Sequence, residues 1–150
     1  MPTLATHKKV RFDYEILESL EAGLVLTGAE VKSIRNGSAK LDGSFVMVRG
    51  RSATIVNMHI GAYRYATNPH YVPDATRKLL LSTKEINYLR GKTEEKGLTI
   101  VPLSLYTKGT LIKLEIGIAK GKKTHDKRRT IKERESKRSL QRILKHGRDD

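Results

Sequence analysis

The side chains best suited to metal or acid–base chemistry are five histidines: His7, His59, His70, His125 and His146. No two stand three or four residues apart, so no helix face presents a pair, and no His-Glu-x-x-His run occurs. Cysteine is absent, which removes thiolate ligands, disulfides and cysteine nucleophiles together. A phosphate-binding loop is approached only at Gly117-x-x-x-Gly121-Lys122-Lys123-Thr124. That run is one residue short between its glycines, and Lys123 stands where Ser or Thr would hold magnesium. No Gly-x-Ser-x-Gly elbow is present. The carboxylate pairs Glu94-Glu95 and Asp149-Asp150 read as a solvated loop and a terminus. A non-enzymatic protein is expected, without metal or cofactor.

The remaining chemistry is that of charge. The 150 residues carry 30 Lys and Arg against 16 Asp and Glu, a formal charge of +14, and the pI is near 10.1. An imbalance of this size in a small chain points to polyanionic partners, nucleic acid first. Residues 120–150 hold 13 of the basic and 5 of the acidic residues, a net +8, with Ile131, Leu140, Ile143 and Leu144 as their only large aliphatics. Such a segment buries too little to order without a partner. No run reaches the roughly 18 apolar residues of a membrane helix, and the start lacks the apolar stretch of a signal peptide. A cytoplasmic monomer without membrane contact is expected. The chain divides into a flexible arm (1–9), a folded domain (10–119) and a basic tail (120–150).

The elements that must position the charges are mostly strands. Short apolar runs over 23–26, 44–48, 54–58, 78–81 and 98–101 are separated by turn signals. The clearest strand is Leu111–Ala119, with Ile112, Leu114, Ile116 and Ile118 on one face and Lys113, Glu115 and Gly117 on the other. Arg49-Gly50-Arg51 and Lys108-Gly109 read as hairpin turns. Two short helices interrupt the strands. One covers Glu30–Asn36, with Gly37 as its stop. The other covers Ser82–Gly91, with Ser82 and Glu85 as a capping box and Ile86 and Leu89 as its buried pair. Residues 61–76 lack periodicity and read as a loop. About six strands with two or three short helices make a mainly β, small barrel. The aromatics Phe12, Tyr14, Tyr63, Tyr65, Tyr71, Tyr88 and Tyr106 form no regular stacking series, so basic groups reading RNA shape and phosphates are expected to dominate.

Four blocks resemble the SsrA-binding protein family, also called small protein B. They are Glu21–Arg35 (EAGLVLTGAEVKSIR), Thr76–Leu81 (TRKLLL), Pro102–Tyr106 (PLSLY) and Ile116–Arg128 (IGIAKGKKTHDKR). The resemblance runs from about Lys8 to the C-terminus. It implies an OB-like barrel whose basic tail is disordered free and helical on the ribosome. It also implies binding to transfer-messenger RNA and delivery of that RNA to stalled ribosomes for trans-translation, with elongation factor Tu a further partner in the delivery complex. A general ribosome-associated OB-fold protein without specificity for this RNA is the alternative. Phe12 departs from the family, whose members often carry a polar-edged aromatic there; stacking is retained and a hydrogen bond is not expected.

The resemblance assigns RNA contacts to Glu21, Leu80 and Lys113. Glu21 would accept from a base amino group or a 2′-hydroxyl, and Lys113, on the polar face of the last strand, would meet a phosphate. Lys32 and Arg35, three apart on one helix face, together with Arg77 and Lys78, are further RNA candidates. In the tail, Gly121 is the implied hinge, followed by Lys122, Lys123, His125, Asp126, Lys127 and Arg128. His125 would meet a decoding-centre base, and Lys127 and Arg128 ribosomal phosphates. Thr130-Ile131-Lys132-Glu133 is a capping-box pattern. A helix from Thr130 to Lys145 would span roughly 24 Å and place Lys132, Arg134, Lys137, Arg138, Arg142 and Lys145 along ribosomal RNA and the messenger channel.

Overall fold

The period-two stretch that ends the folded domain is the strand around which the rest assembles. The structure, a computed structural model, describes residues 2–66 and 68–122. Among these residues the strands are β1 (Thr3–Thr6), β2 (Tyr14–Leu24), β3 (Ala39–Lys40), β4 (Phe45–Arg49), β5 (Ser52–Val56), β6 (His59–Ile60), β7 (Arg77–Leu80), β8 (Leu98–Lys108) and β9 (Leu111–Gly121). The helices are α1 (Val10–Asp13), α2 (Gly28–Arg35) and α3 (Thr83–Glu94). β9 pairs antiparallel with β2 on one side and β8 on the other. The pairings β8–β4, β4–β5, β5–β7 and β7–β2 complete a near-closed ring of six strands, with β1 added to the free flank of β8. β3 and β6 form a separate two-stranded sheet. The fold is mainly antiparallel β with three short helices.

Bulges let the long strands curl. The register shifts between Ile16 and Glu18 in the β2–β9 ladder and between Pro102 and Ser104 in the β8–β9 ladder. An extra residue bends the bulged strand and raises its twist, so 11-residue β8 can serve β1, β4 and β9 in turn. The alternation of β9 holds: Ile112, Leu114, Ile116 and Ile118 are buried against Ile34, Ile55, Leu79 and Leu89. α3 begins with the Ser82/Glu85 capping box and buries Ile86 and Leu89, each side chain contributing about 1.5–3 kcal/mol. It runs one turn past Gly91, to Glu94.

Three expectations need correction. α2 begins at Gly28 and not Glu30, because Thr27 and Glu30 form a reciprocal capping box. It closes as expected: Gly37, at φ +83°, donates to Ile34 O, and Ser38 donates to Ser33 O. Residues 1–9 are not a loose arm throughout. Thr3–Thr6 pair with β8, and Val10 of α1 is buried with Val101, Leu103 and Ala119. The folded unit also passes residue 119, since Gly121 lies opposite Tyr14 and the Lys122 N–H donates to Asp13 O.

Candidate nucleic-acid interface

β7 has only four residues, and its alternation decides what each can do. Arg77 and Leu79 are buried, while Lys78 and Leu80 are exposed. Leu80 lies opposite Gly23 of β2, Gly23 opposite Lys113 of β9, and Lys113 opposite Tyr106 of β8. These four residues form one row across four strands. A Cβ on Gly23 would come within 3.0 Å of Leu80 Cβ and 3.6 Å of Lys113 Nζ. The glycine therefore keeps a low place between an exposed apolar side chain and an ammonium group. A glycine within a strand marks a site of close approach. Leu80, Val25 and Leu111 are all at least half exposed, 53%, 50% and 58%, so apolar surface adjoins the charge.

Glu21 occupies the next row, opposite Glu115. Its carboxylate accepts from the Tyr106 hydroxyl at 2.5 Å and from Lys108 Nζ at 3.3 Å. The tyrosine hydrogen bond holds the Glu21 carboxyl below its ordinary value; burial opposes this, and Lys108 and Lys113 add to it. Burial raises the Tyr106 phenol, and the adjoining Glu21 carboxylate raises it further. Glu21 is thus anionic and fixed, with acceptor sites remaining, since a carboxylate offers about four lone-pair directions. Glu115 also accepts from Ser104 Oγ, at 3.4 Å.

α2 carries the candidates Lys32 and Arg35 to two different neighbours. Lys32 Nζ lies 5.5 Å from the Tyr63 ring centroid, and Arg35 Nη2 donates at 3.0 Å to Thr110 O in the β8–β9 turn. Arg35 therefore adjoins the end of the sheet that holds Lys108 and Lys113.

Arg77 requires a correction. Its side chain is 4% exposed and its Nε donates to Glu30 Oε2 at 2.6 Å. Nη1 donates to Met58 O and Ala75 O, and Nη2 to Pro73 O and the Tyr71 hydroxyl. A guanidinium has five N–H donors, and all five are used within the protein. None is left for a phosphate. Burial alone would raise the Glu30 carboxyl; the Thr27 N–H, Arg77 and Tyr71 outweigh it and hold the group below its ordinary value. The cluster ties α2, β7 and the 61–76 loop together.

No group of three or more His, Asp or Glu among the described residues is placed to hold a metal ion. No helix among them is long and apolar enough to cross a membrane.

A model of the SmpB protein family matches residues 4–146. The chain belongs to the SmpB protein family. SsrA-binding proteins of Acaryochloris marina and Magnetococcus marinus are 49% identical over 145 residues and 50% identical over 142 residues. The alignments cover 96% of this chain and 94% of the first relative, and 95% of each chain for the second. A solved structure described as "tmRNA-SmpB: a journey to the center of the bacterial ribosome" aligns with a TM-score of 0.67 at 41% identity, covering 79% of this chain and 84% of that one.

In this SmpB chain the fold brings Glu21, Leu80 and Lys113 onto neighbouring rows of one face, with Lys78 two residues from Leu80 on β7. Gly23, Tyr106 and Lys108 belong to the same face and were not anticipated. The glycine inside an apolar strand and the Tyr106–Lys108 spacing beside a hairpin turn were the available signals. Gly121 is the last residue of β9 and pairs with Tyr14, and Lys122 Nζ donates to Arg11 O at 2.8 Å. Lys123, His125, Asp126, Lys127, Arg128, Lys132, Arg134, Lys137, Arg138, Arg142 and Lys145 lie outside the described residues.

Proposed function

We propose that the chain is a non-enzymatic RNA-binding factor of trans-translation that binds transfer-messenger RNA through its β7–β2–β9–β8 face and accompanies it to stalled ribosomes. The carrying observation is the Leu80–Gly23–Lys113–Tyr106 row with Glu21 beside it. It combines an apolar contact, a phosphate-seeking ammonium, a low glycine and a fixed anionic acceptor. Folded RNA offers matching groups in its phosphates, 2′-hydroxyls and unpaired base edges. Lys78, Lys108, Lys32 and Arg35 extend the basic surface around that row. The six-strand ring serves as the OB-like barrel of the resemblance. The protein works as a cytoplasmic monomer with this RNA, the ribosome and elongation factor Tu as partners.

The tail beyond Lys122 is the part we assign to the empty decoding centre and messenger channel. Thr130-Ile131-Lys132-Glu133 supplies a capping signal, and Leu140, Ile143 and Leu144 give a narrow apolar stripe. An isolated helix of this length is marginal in water, so neutralising RNA phosphates favour it. An occupied channel excludes it, which makes the tail a sensor of a missing message.

Gel-shift titration against transfer-messenger RNA tests the face. Lys113→Ala should weaken binding and lower the slope of log K against log salt by about 1. Glu21→Gln should weaken binding although it removes a negative charge. Tighter binding by Glu21→Gln would make Glu21 an ordinary surface carboxylate and overturn its assignment. In a tagging assay, Lys137→Pro should keep RNA affinity and lose tagging of stalled chains.

A further inference from the structure

The loop after β6 carries an aromatic and basic cluster that shares only Lys32 with the basic surface around the barrel row. Tyr63 and Tyr65 meet edge to face, with ring centroids 5.5 Å apart and planes at 68°. Lys32 Nζ sits 5.5 Å from the centre of the Tyr63 ring, and Arg64 Cζ sits 5.7 Å from that of Tyr65. Tyr65 is nevertheless 73% exposed, the most exposed large hydrophobic side chain among the described residues. An accessible aromatic ring and two cations therefore meet at one place on the surface.

The cluster is held in place from below. Ser33 Oγ of α2 donates to Gly61 O, and Gly61 N donates to Ser38 O. Tyr71 donates to Ile60 O at 2.8 Å, and the Arg77 guanidinium grips Pro73 O and Ala75 O. Both ends of the loop are therefore anchored to α2 or β7, and Tyr63 and Tyr65 are presented between two cations. Lys32 and Arg35, three residues apart on one side of α2, join this cluster to the turn at Thr110 beside Lys108.

From this arrangement we infer that Tyr65, backed by Tyr63 and flanked by Lys32 and Arg64, is a stacking platform for an unpaired base of single-stranded RNA, outside the barrel row. The aromatic face takes the base by stacking, which any base permits. The ammonium and guanidinium groups take the flanking phosphates. The inference deepens the proposed RNA-binding reading by adding a site with its own ligand chemistry, and it can stand or fall separately.

The test is fluorescence anisotropy of a dye-labelled hexaadenylate with the full chain, over a salt series. Tyr65→Ala should weaken binding about tenfold at every salt concentration with the slope unchanged, because stacking releases no counterions. Tyr65→Phe, which keeps the ring, should bind within about twofold of the unaltered chain. In the unaltered chain the Tyr65 ring resonances, assigned with the Tyr65→Phe variant, should move on adding hexaadenylate. Equal binding by Tyr65→Ala, a Tyr65→Phe loss as large as that of alanine, or unmoved ring resonances at saturation would overturn the platform. If Lys113→Ala and Glu21→Gln leave transfer-messenger RNA binding unchanged while Tyr65→Ala still weakens hexaadenylate binding, the barrel-face reading fails and the platform stands. The opposite pattern removes the platform alone.

Discussion

Arg77 and Lys78 are chain neighbours of like charge, and the pleat of β7 sends them to opposite environments. Arg77 turns inward, gives all five donors to protein acceptors and closes an ion pair with Glu30. Lys78 turns outward with Leu80, on the face that also holds Gly23, Lys113 and Glu21. Both regions are built from basic, acidic and tyrosine side chains. In the Glu30–Arg77–Tyr71 cluster the groups satisfy one another; on the outer face Glu21 is held and capacity remains. Charge alone does not distinguish a structural group from a binding group. The count of unused donors and acceptors does.

The sharpest way to break that contrast is Arg77→Ala. It strands a buried carboxylate and should cost about 3–5 kcal/mol of stability, read as a lowered urea midpoint. Arg77→Lys keeps the charge but offers three donors in place of five, so it should recover only part of the loss. Lys78→Ala in the same assay should stay within about 0.5 kcal/mol of the unaltered protein. A comparable loss from both alanine variants would erase the distinction.

Acid should act more gently and on the same cluster. Glu30 titrates below its ordinary value of 4.5 in the folded chain. Its contribution is therefore present above that value and is lost as pH falls through the lowered folded pKa. The urea midpoint should hold from about pH 7 to about pH 5 and fall below that. Glu30→Gln, though less stable throughout, should show a shallower acid decline. An equally steep decline in that variant would place the acid sensitivity elsewhere.

The smallest effect sharpens the outer face. Gly23→Ala sets a Cβ 3.0 Å from Leu80 Cβ, so Leu80 must shift by a few tenths of an ångström. Stability should fall by about 1 kcal/mol or less, as for a mild small-to-large change at a surface that can relax. Affinity for transfer-messenger RNA should fall a few-fold in the same gel shift. Unchanged affinity would mean that the low place at Gly23 admits no ligand.

Much of this was legible where a local rule had no rival. β9 followed from four isoleucines and leucines at period two, and α3 from Ser82 and Glu85 at capping spacing. The first half of β2 was not legible. Its Glu-Ile-Leu-Glu-Ser-Leu-Glu-Ala run has helix-forming composition, and the bulge near Leu17 breaks its alternation. Only pairing with β9 makes it a strand, a tertiary override of local propensity. β1 was lost for a similar reason, since its partners in β8 lie about a hundred residues away. At the site, Glu21, Leu80 and Lys113 came from the family resemblance, and the fold placed them on one face. Arg77 was misjudged because its acidic partner is 47 residues distant. One local clue was available: Arg77 and Leu79 share a face of β7, so burial of one entails burial of the other.

β9 also has a mechanical meaning. Lys113 lies near its start and Gly121 ends it, with Lys122 hydrogen-bonded to Asp13 and Arg11 just beyond. Eight residues of extended chain separate the two points, about 27 Å at strand rise. For an RNA gripping Lys113, a pull on the chain beyond Lys122 travels along the covalent backbone of a single strand and crosses no hydrogen bond between the two points of load. The ladders to β2 and β8 act as lateral bracing on both flanks. The barrel then serves as a stiff strut that hands tension straight from one end of β9 to the other.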